Sequence, residues 1–219
     1  MKAAEGEIFD IELEENILRE NQRLANENKR LLAKHGIVAI DVMGSIGAGK
    51  TSLIEKLVIS LKDEHKIAVL KGDLTTTIDA EIIRRQGVEV VAINTGKECH
   101  LDANLVGKAL QRLNLNDISL LFVENVGNLI CPAEFPLGSQ RRIVVISVTE
   151  GPYMVLKHPF IFMNADIAVI NKMDLAQAMS IDANKLGADV RKINPKAKVA
   201  YTNCRTGEGI ERVIEALDF

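Results

Sequence analysis

The chain has 219 residues, 47% of them hydrophobic, which is enough for one well-buried core and too few for two full ones. Thirty acidic residues against 27 basic ones leave a net charge of −3, so no global positive field draws the protein to nucleic acid or to an anionic membrane. No apolar run approaches the ~18 residues of a membrane span and no signal-peptide pattern is present, so a cytoplasmic protein is expected; three cysteines in such a chain point to metal binding or burial rather than a disulfide.

Residues 1–36 read as an N-terminal helical extension and residues 37–219 as one nucleotide-binding domain. In "ENILRENQRLANENKRLLAKHG", Ile17, Leu24 and Leu31 recur every seventh position with Leu18 and Leu32 beside them. That spacing predicts a helix with a narrow apolar stripe, either laid against its own domain or also paired with another subunit. From Ile37 the texture changes. The runs "IVAIDVM", "KIAVL", "VEVVAIN", "ISLLFVEN", "RRIVVISV", "ADIAVIN" and "AKVAYT" are continuous and β-branched, as strands buried on both faces must be. Segments such as "KTSLIEKLVISLKDE" and "GEGIERVIEALDF" between and after them have helical spacing. The alternation predicts an α/β fold with a mostly parallel sheet, helices on both faces, and ligands at the carboxyl edge of the strands.

The first loop at that edge is "GSIGAGKT", residues 44–51, which fits G-x-x-x-x-G-K-[ST] between a predicted strand and a predicted helix. A triphosphate needs many N–H donors within a small radius. Gly44, Gly47 and Gly49 leave the backbone of Ser45 and Ala48 unobstructed, Lys50 adds a charge for the β- and γ-phosphates, Thr51 is expected in a Mg²⁺ shell, and Ser52 lies toward the α-phosphate. After the second strand, "KGDLTTT" makes Asp73 a second candidate for Mg²⁺ or the attacking water, although "GD" is also ordinary turn chemistry; Asp79 is a weaker third.

"NTGKECHLDA" sets Cys99 beside His100 after the third strand. Taken alone, the pair reads as a buried thiol and a helix-start imidazole. The fourth strand, "ISLLFVEN", ends on Glu124, a carboxylate where P-loop proteins hold Mg²⁺, and Gly127 can bring its N–H to a γ-phosphate. Four residues on, Cys131 falls on the same edge. Two thiols and an imidazole suit Zn²⁺ or, in a flatter geometry, Ni²⁺, and three ligands leave the shell open to water or to a second subunit. "VINKMD" matches N-K-x-D. Asp174 can accept from the guanine N1–H and exocyclic amine, Asn171 can bond its acceptor edge, and Lys172 can lie along the base. "YTNCRTGEG" stands where a loop completes the base pocket; Cys204 reads as a small buried side chain whose backbone can contact the base.

These segments, with "VVISVTEG", resemble the HypB GTPases that help insert nickel into nickel–iron hydrogenases. The resemblance implies a P-loop GTPase of the SIMIBI class that binds GTP and GDP with Mg²⁺. It also implies dimerisation with GTP and a metal site of Cys99, His100 and Cys131, and as partners a HypA-type nickel chaperone and a hydrogenase large-subunit precursor. "MKAAEGEIFD" has neither the amino-terminal C-x-x-C-G-C motif nor the His-rich stretch of some bacterial members. A tight nickel store is therefore not expected. Two other readings share part of the pattern: a GTP switch with a structural zinc, and a P-loop small-molecule kinase.

Overall fold

The computed structural model describes residues 5–73, 78–96 and 98–218, without the side chains of residues 5–12, 14, 73, 78 and 79. Seven strands form one sheet: β1 Val38–Gly44, β2 Ile67–Asp73, β3 Glu89–Asn94, β4 Leu120–Glu124, β5 Arg141–Ser147, β6 Ile167–Asn171 and β7 Lys198–Tyr201. Each corresponds to one of the apolar runs. All neighbours are parallel and the order is β3-β2-β4-β1-β5-β6-β7, so β1 is central and its carboxyl end opens between β4 and β5.

The helices are α1 Glu5–Lys34, α2 Lys50–Leu61, α3 Ile78–Arg84, α4 Ala103–Leu110, α5 Met154–Lys157, α6 Pro159–Met163, α7 Ala183–Ile193 and α8 Ile210–Leu217. They divide by the alternation of side chains along the strands. Ile40 and Val42 of β1, Phe122 of β4 and Val145 of β5 face α2, α3 and α8 in one continuous core. Leu121, Val123 and Leu70 face α1 and α4 on the other side, and Val144, Ile146, Ala168 and Ile170 face α5, α6 and α7. With both faces covered, strands of uniform apolar character are stable and a polar residue inside them stands out.

Helix α1 packs on α4, but its buried face is not the stripe expected from the heptad spacing. Ile17 is exposed, Leu24 and Leu31 are half-buried, and the buried line is Asn21, Ala25, Asn28 and Leu32. The reason is polar. Asn21 Oδ1 accepts from Ala103 N at 2.8 Å, and Asn21 Nδ2 donates to Pro136 O at 3.0 Å. Asn28 Nδ2 donates to Ala103 O at 2.7 Å and to Leu137 O at 3.1 Å. These bonds satisfy backbone groups at the open end of α4 and in the loop after Cys131, each contributing about 1 kcal/mol. An asparagine pair thus fixes the two segments that follow the cysteines.

Candidate functional site

The loop from β1 into α2 turns through three glycines at positive φ, with Gly49 at 104° as the residue before the helix. Gly49 is required twice, because a Cβ there would also collide with the Asn171 amide. Lys50 Nζ donates to Gly44 O at 3.2 Å and Ser45 O at 2.9 Å. The ammonium therefore lies across the mouth of the loop. Thr51 and Ser52 stand in the first turn of α2, and Thr51 Oγ1 donates to Glu124 Oε1 at 2.7 Å.

Glu124 is 2% exposed, and its second oxygen, Oε2, has no hydrogen-bond partner among the described residues. A buried carboxylate oxygen left open beside a threonine hydroxyl is the hard-oxygen environment that Mg²⁺ takes, so Thr51 and Glu124 fit that ion. The Asp73 side chain, the other candidate, lies outside the described residues, as does that of Asp79. Gly127 packs directly on the phosphate loop. A Cβ there would stand 2.9 Å from the backbone of Ile46, and Asn128 N donates to Gly44 O at 3.0 Å. Residues 124–128 are therefore laid against the glycine-rich loop of residues 44–51. The cavity between them, about 370 Å³, is lined by Lys50, Thr51, Glu124 and Gly127.

A second cavity of about 570 Å³ shares Gly49 and Ser52 with the first and is lined by Asn171, Lys172, Asp174, Cys204 and Arg205. One end suits phosphates and the other a base. Asn171 is buried and acts as a hub. Its Nδ2 donates to Ala48 O at 2.9 Å, and its Oδ1 accepts from Thr202 Oγ1 and from Cys204 N, each at 3.1 Å. That amide holds three loops together, and it also lines the cavity, where the second hydrogen of Nδ2 is available to a base. Lys172 adopts a left-handed backbone (φ 61°, ψ 42°), which swings Asp174 out to the surface in the following short turn. Cys204 is buried, and burial pushes its thiol up.

The third cluster stands on the other side of the phosphate cavity. Cys99 Sγ lies 3.1 Å from Cys131 Sγ and 3.8 Å from His100 Nδ1, and the three donor atoms fall within 4.8 Å of one another. One ion about 2.0–2.3 Å from each donor in a tetrahedral shell sets neighbouring donors roughly 3.3 to 3.8 Å apart, so two thiolates and an imidazole gathered this closely suit a single Zn²⁺ or Ni²⁺. Contact with the Cys131 thiol, followed by burial, holds the Cys99 thiol above its ordinary range; burial pulls the His100 imidazole down against the opposing charges of Glu98, Asp102 and Glu134. His100 stacks on Phe135 with ring centroids 3.9 Å apart. Cys99 itself is exposed.

One residue that sequence reasoning passed over joins these clusters. Asn125 follows Glu124 and is 1% exposed, and its Oδ1 accepts from both Val126 N and Leu101 N at 3.0 Å. The loop carrying Cys99 and His100 is thus tied to the strand end that forms the wall of the phosphate cavity. Asn125 Nδ2 lies 3.4 Å from Oδ1 of Asp41, a fully buried carboxyl in the middle of β1, which burial pushes up to about 6 against the pull of Arg142 and Asn125. Its signal in the sequence was a polar residue interrupting "IVAIDVM".

Known proteins share this fold. The model of the CobW/HypB/UreG nucleotide-binding domain family matches residues 38–201. The probable hydrogenase maturation factor HypB of Methanocaldococcus jannaschii is 54% identical over 208 residues, covering 95% of this chain and 94% of that protein. The crystal structure of hydrogenase maturation factor HypB from Archaeoglobus fulgidus superposes with a TM-score of 0.85 at 47% identity, over 91% of this chain and 97% of that one. A crystal structure of HypB from Helicobacter pylori in complex with nickel gives a TM-score of 0.85 at 35% identity, over 90% of this chain and 93% of that one.

Proposed function

The chain belongs to the CobW/HypB/UreG nucleotide-binding family and, within it, to the HypB hydrogenase maturation factors, and from that premise we propose that it is a GTP-hydrolysing metallochaperone whose Cys99–His100–Cys131 site carries nickel or zinc in step with its nucleotide state. The observation that supports this best is the Asn125 bond to Leu101 N, because it ties the metal-bearing loop to the wall of the phosphate cavity. The nickel complex of the Helicobacter pylori relative supports nickel as the cargo. Residues 37–219 act as the GTPase domain and residues 1–36 as a helical extension that steadies it through Asn21 and Asn28.

In this reading Asp174 and Lys172 receive guanine, the backbone of residues 44–51 and Lys50 receive the phosphates, and Ser52 lies at the α-phosphate. Lys50 gives up its bonds to Gly44 O and Ser45 O for the β- and γ-oxygens, where its charge stabilises the transition state of water attack. Thr51 and Glu124, with Asp73 as a further candidate ligand, would hold Mg²⁺, which would supply neutralisation of the charge that develops on the phosphates. The Gly127 N–H senses the γ-phosphate. Neither a water-orienting glutamine nor an arginine finger is assigned, so turnover is slow until a second subunit or another partner completes the site.

The same surface supports dimerisation with GTP. Ile46, at the tip of the phosphate loop, is 81% exposed and Ile130, beside Cys131, is 62% exposed, so apolar side chains flank both the nucleotide and the metal cluster. The partners are a HypA-type chaperone and a hydrogenase large-subunit precursor, in the cytoplasm. No helix among the described residues is long and apolar enough to cross a membrane. A purely structural zinc has less support, because Cys99 is exposed and three ligands leave the metal open to exchange. A small-molecule kinase gives no role to Asp174 or to the cysteines.

Gel filtration with metal quantification tests the coupling on wild type and Cys99→Ala, in GDP and in a non-hydrolysable GTP analogue. The wild type should dimerise with the analogue and change its metal content with nucleotide, and Cys99→Ala should lose the metal. Equal mass and equal metal in all four samples refute the coupling. Lys50→Ala should abolish GTP hydrolysis in the same preparations, and undiminished turnover would remove Lys50 from the mechanism.

A further inference from the structure

Strand β2 places Lys71 on the face that carries the apolar Ile67 and Val69, and the parallel register sets it opposite Glu124 of β4. Both are almost completely buried, at 4% and 2% exposure, and both line the phosphate cavity under the first turn of α2. Lys71 Nζ lies 2.6 Å from Glu124 Oε1 and donates to Thr51 Oγ1 at 3.3 Å, while Thr51 Oγ1 donates to the same Glu124 oxygen at 2.7 Å. One ammonium therefore sits on the Thr51 hydroxyl and on Glu124 Oε1, directly beside the open Oε2 that the magnesium reading uses.

A buried ion pair can be simple structure, a lysine neutralising a glutamate beneath a helix. Two features argue against that here. The pair opens onto the cavity that receives phosphates, and Glu124 Oε2 has no hydrogen-bond partner although it is buried, so the carboxylate is only half satisfied by Lys71 and Thr51. A pair built only for stability would close both oxygens.

We propose that Lys71 is a tethered cation beside the magnesium seat, a positioning residue that holds Glu124 in place and gives the phosphates a positive charge before any metal arrives. The inference rests on the reading that this cavity takes a guanine nucleotide with Mg²⁺. Its physical content is competition. Two cations on one carboxylate repel, so Mg²⁺ binds this site weakly, and the charge it would add to nucleotide binding is already partly present. Nucleotide affinity then depends little on Mg²⁺, and the nucleotide can load first, with the ion following as the Lys71 ammonium shifts toward phosphate oxygen.

Binding of a fluorescent GDP analogue, titrated in excess EDTA and in millimolar Mg²⁺, reads this out without reference to turnover. Wild-type affinity should differ by no more than about threefold between the two conditions, whereas Lys71→Met should lose about tenfold or more in EDTA and recover in Mg²⁺. Lys71→Arg, which keeps the charge, should behave as wild type. Because Lys71→Met leaves Glu124 buried without its partner, the double variant Lys71→Met/Glu124→Gln, neutral at both positions, accompanies it; it should bind weakly in EDTA and gain nothing from Mg²⁺. The proposal is overturned if Lys71→Met and wild type show the same ratio, if the wild type itself gains tenfold from Mg²⁺, or if the double variant matches wild type in EDTA. Absence of GDP binding in every protein and condition overturns the nucleotide reading and this inference with it, an outcome distinct from binding that merely ignores Lys71.

Discussion

At one end of the sheet edge Asn171 is buried and its amide is bonded to Ala48, Thr202 and Cys204; at the other, Cys99 is exposed and meets Cys131 and His100 only through side chains on two loops. The base end is closed by bonds within the protein and needs no ligand to hold its shape. The metal end brings its donors together but leaves Cys99 facing solvent, with the neighbouring Cys131 thiol raising the affinity of Cys99 for its proton. Preorganisation suits recognition of a fixed shape, whereas a site that must take up and release an ion gains from being incomplete. The contrast separates a rigid address from an exchangeable load.

The largest effect should come from the base end. Asp174→Asn should lower the preference for GTP over XTP by roughly 10³-fold or more, since a pocket organised around a hydrogen-bonding partner strongly rejects the base that leaves it unpaired. Competition of the two nucleotides for one fluorescent analogue measures it; an unchanged ratio would detach Asp174 from the base. The metal end should respond separately. Cys131→Ser should weaken metal binding by more than about a hundredfold in competition with a chromogenic chelator, leaving GDP affinity as in wild type. Equal loss of both would mean that the two ends are not independent in construction.

The smallest effect tests the buried carboxyl beneath Asn125. Asp41 sits at about 6 instead of 3.8, so the folded protein holds a proton that the unfolded chain has already released. Stability from this group is present in acid and is lost as pH rises from about 4 to about 6, a change on the order of 2 to 3 kcal/mol with no further loss above. Asp41→Asn, which keeps an acceptor for the Asn125 amide, should remove that slope and unfold at higher denaturant at neutral pH. Parallel pH profiles for the two proteins would dismiss Asp41 as the source.

All seven strands and the phosphate loop were legible because buried parallel strands and glycine-rich loops each have a local signature. Asp174, Cys99 and Cys131 were legible as chemistry out of place at strand ends. What escaped was chemistry defined by register and packing. Lys71 is one polar residue just after an apolar run, and only the pairing of β2 with β4 sets it against Glu124. Asn21 and Asn28 look like solvated helix positions until α4 supplies the backbone groups they bond. Asn125 reads as a strand terminus, because nothing in its neighbourhood along the chain announces a bond to Leu101.

That bond has a thermodynamic reciprocal. One amide oxygen serves Val126 N beside the phosphates and Leu101 N beside His100, so any nucleotide that displaces one of these segments strains the other. Linkage then runs in both directions: if GTP changes metal affinity by some factor through Asn125, an occupied metal site must change GTP affinity by the same factor. The cargo would in this way set how tightly its own carrier holds fuel, and a loaded and an empty subunit would meet the same cellular pool of GTP as two different proteins.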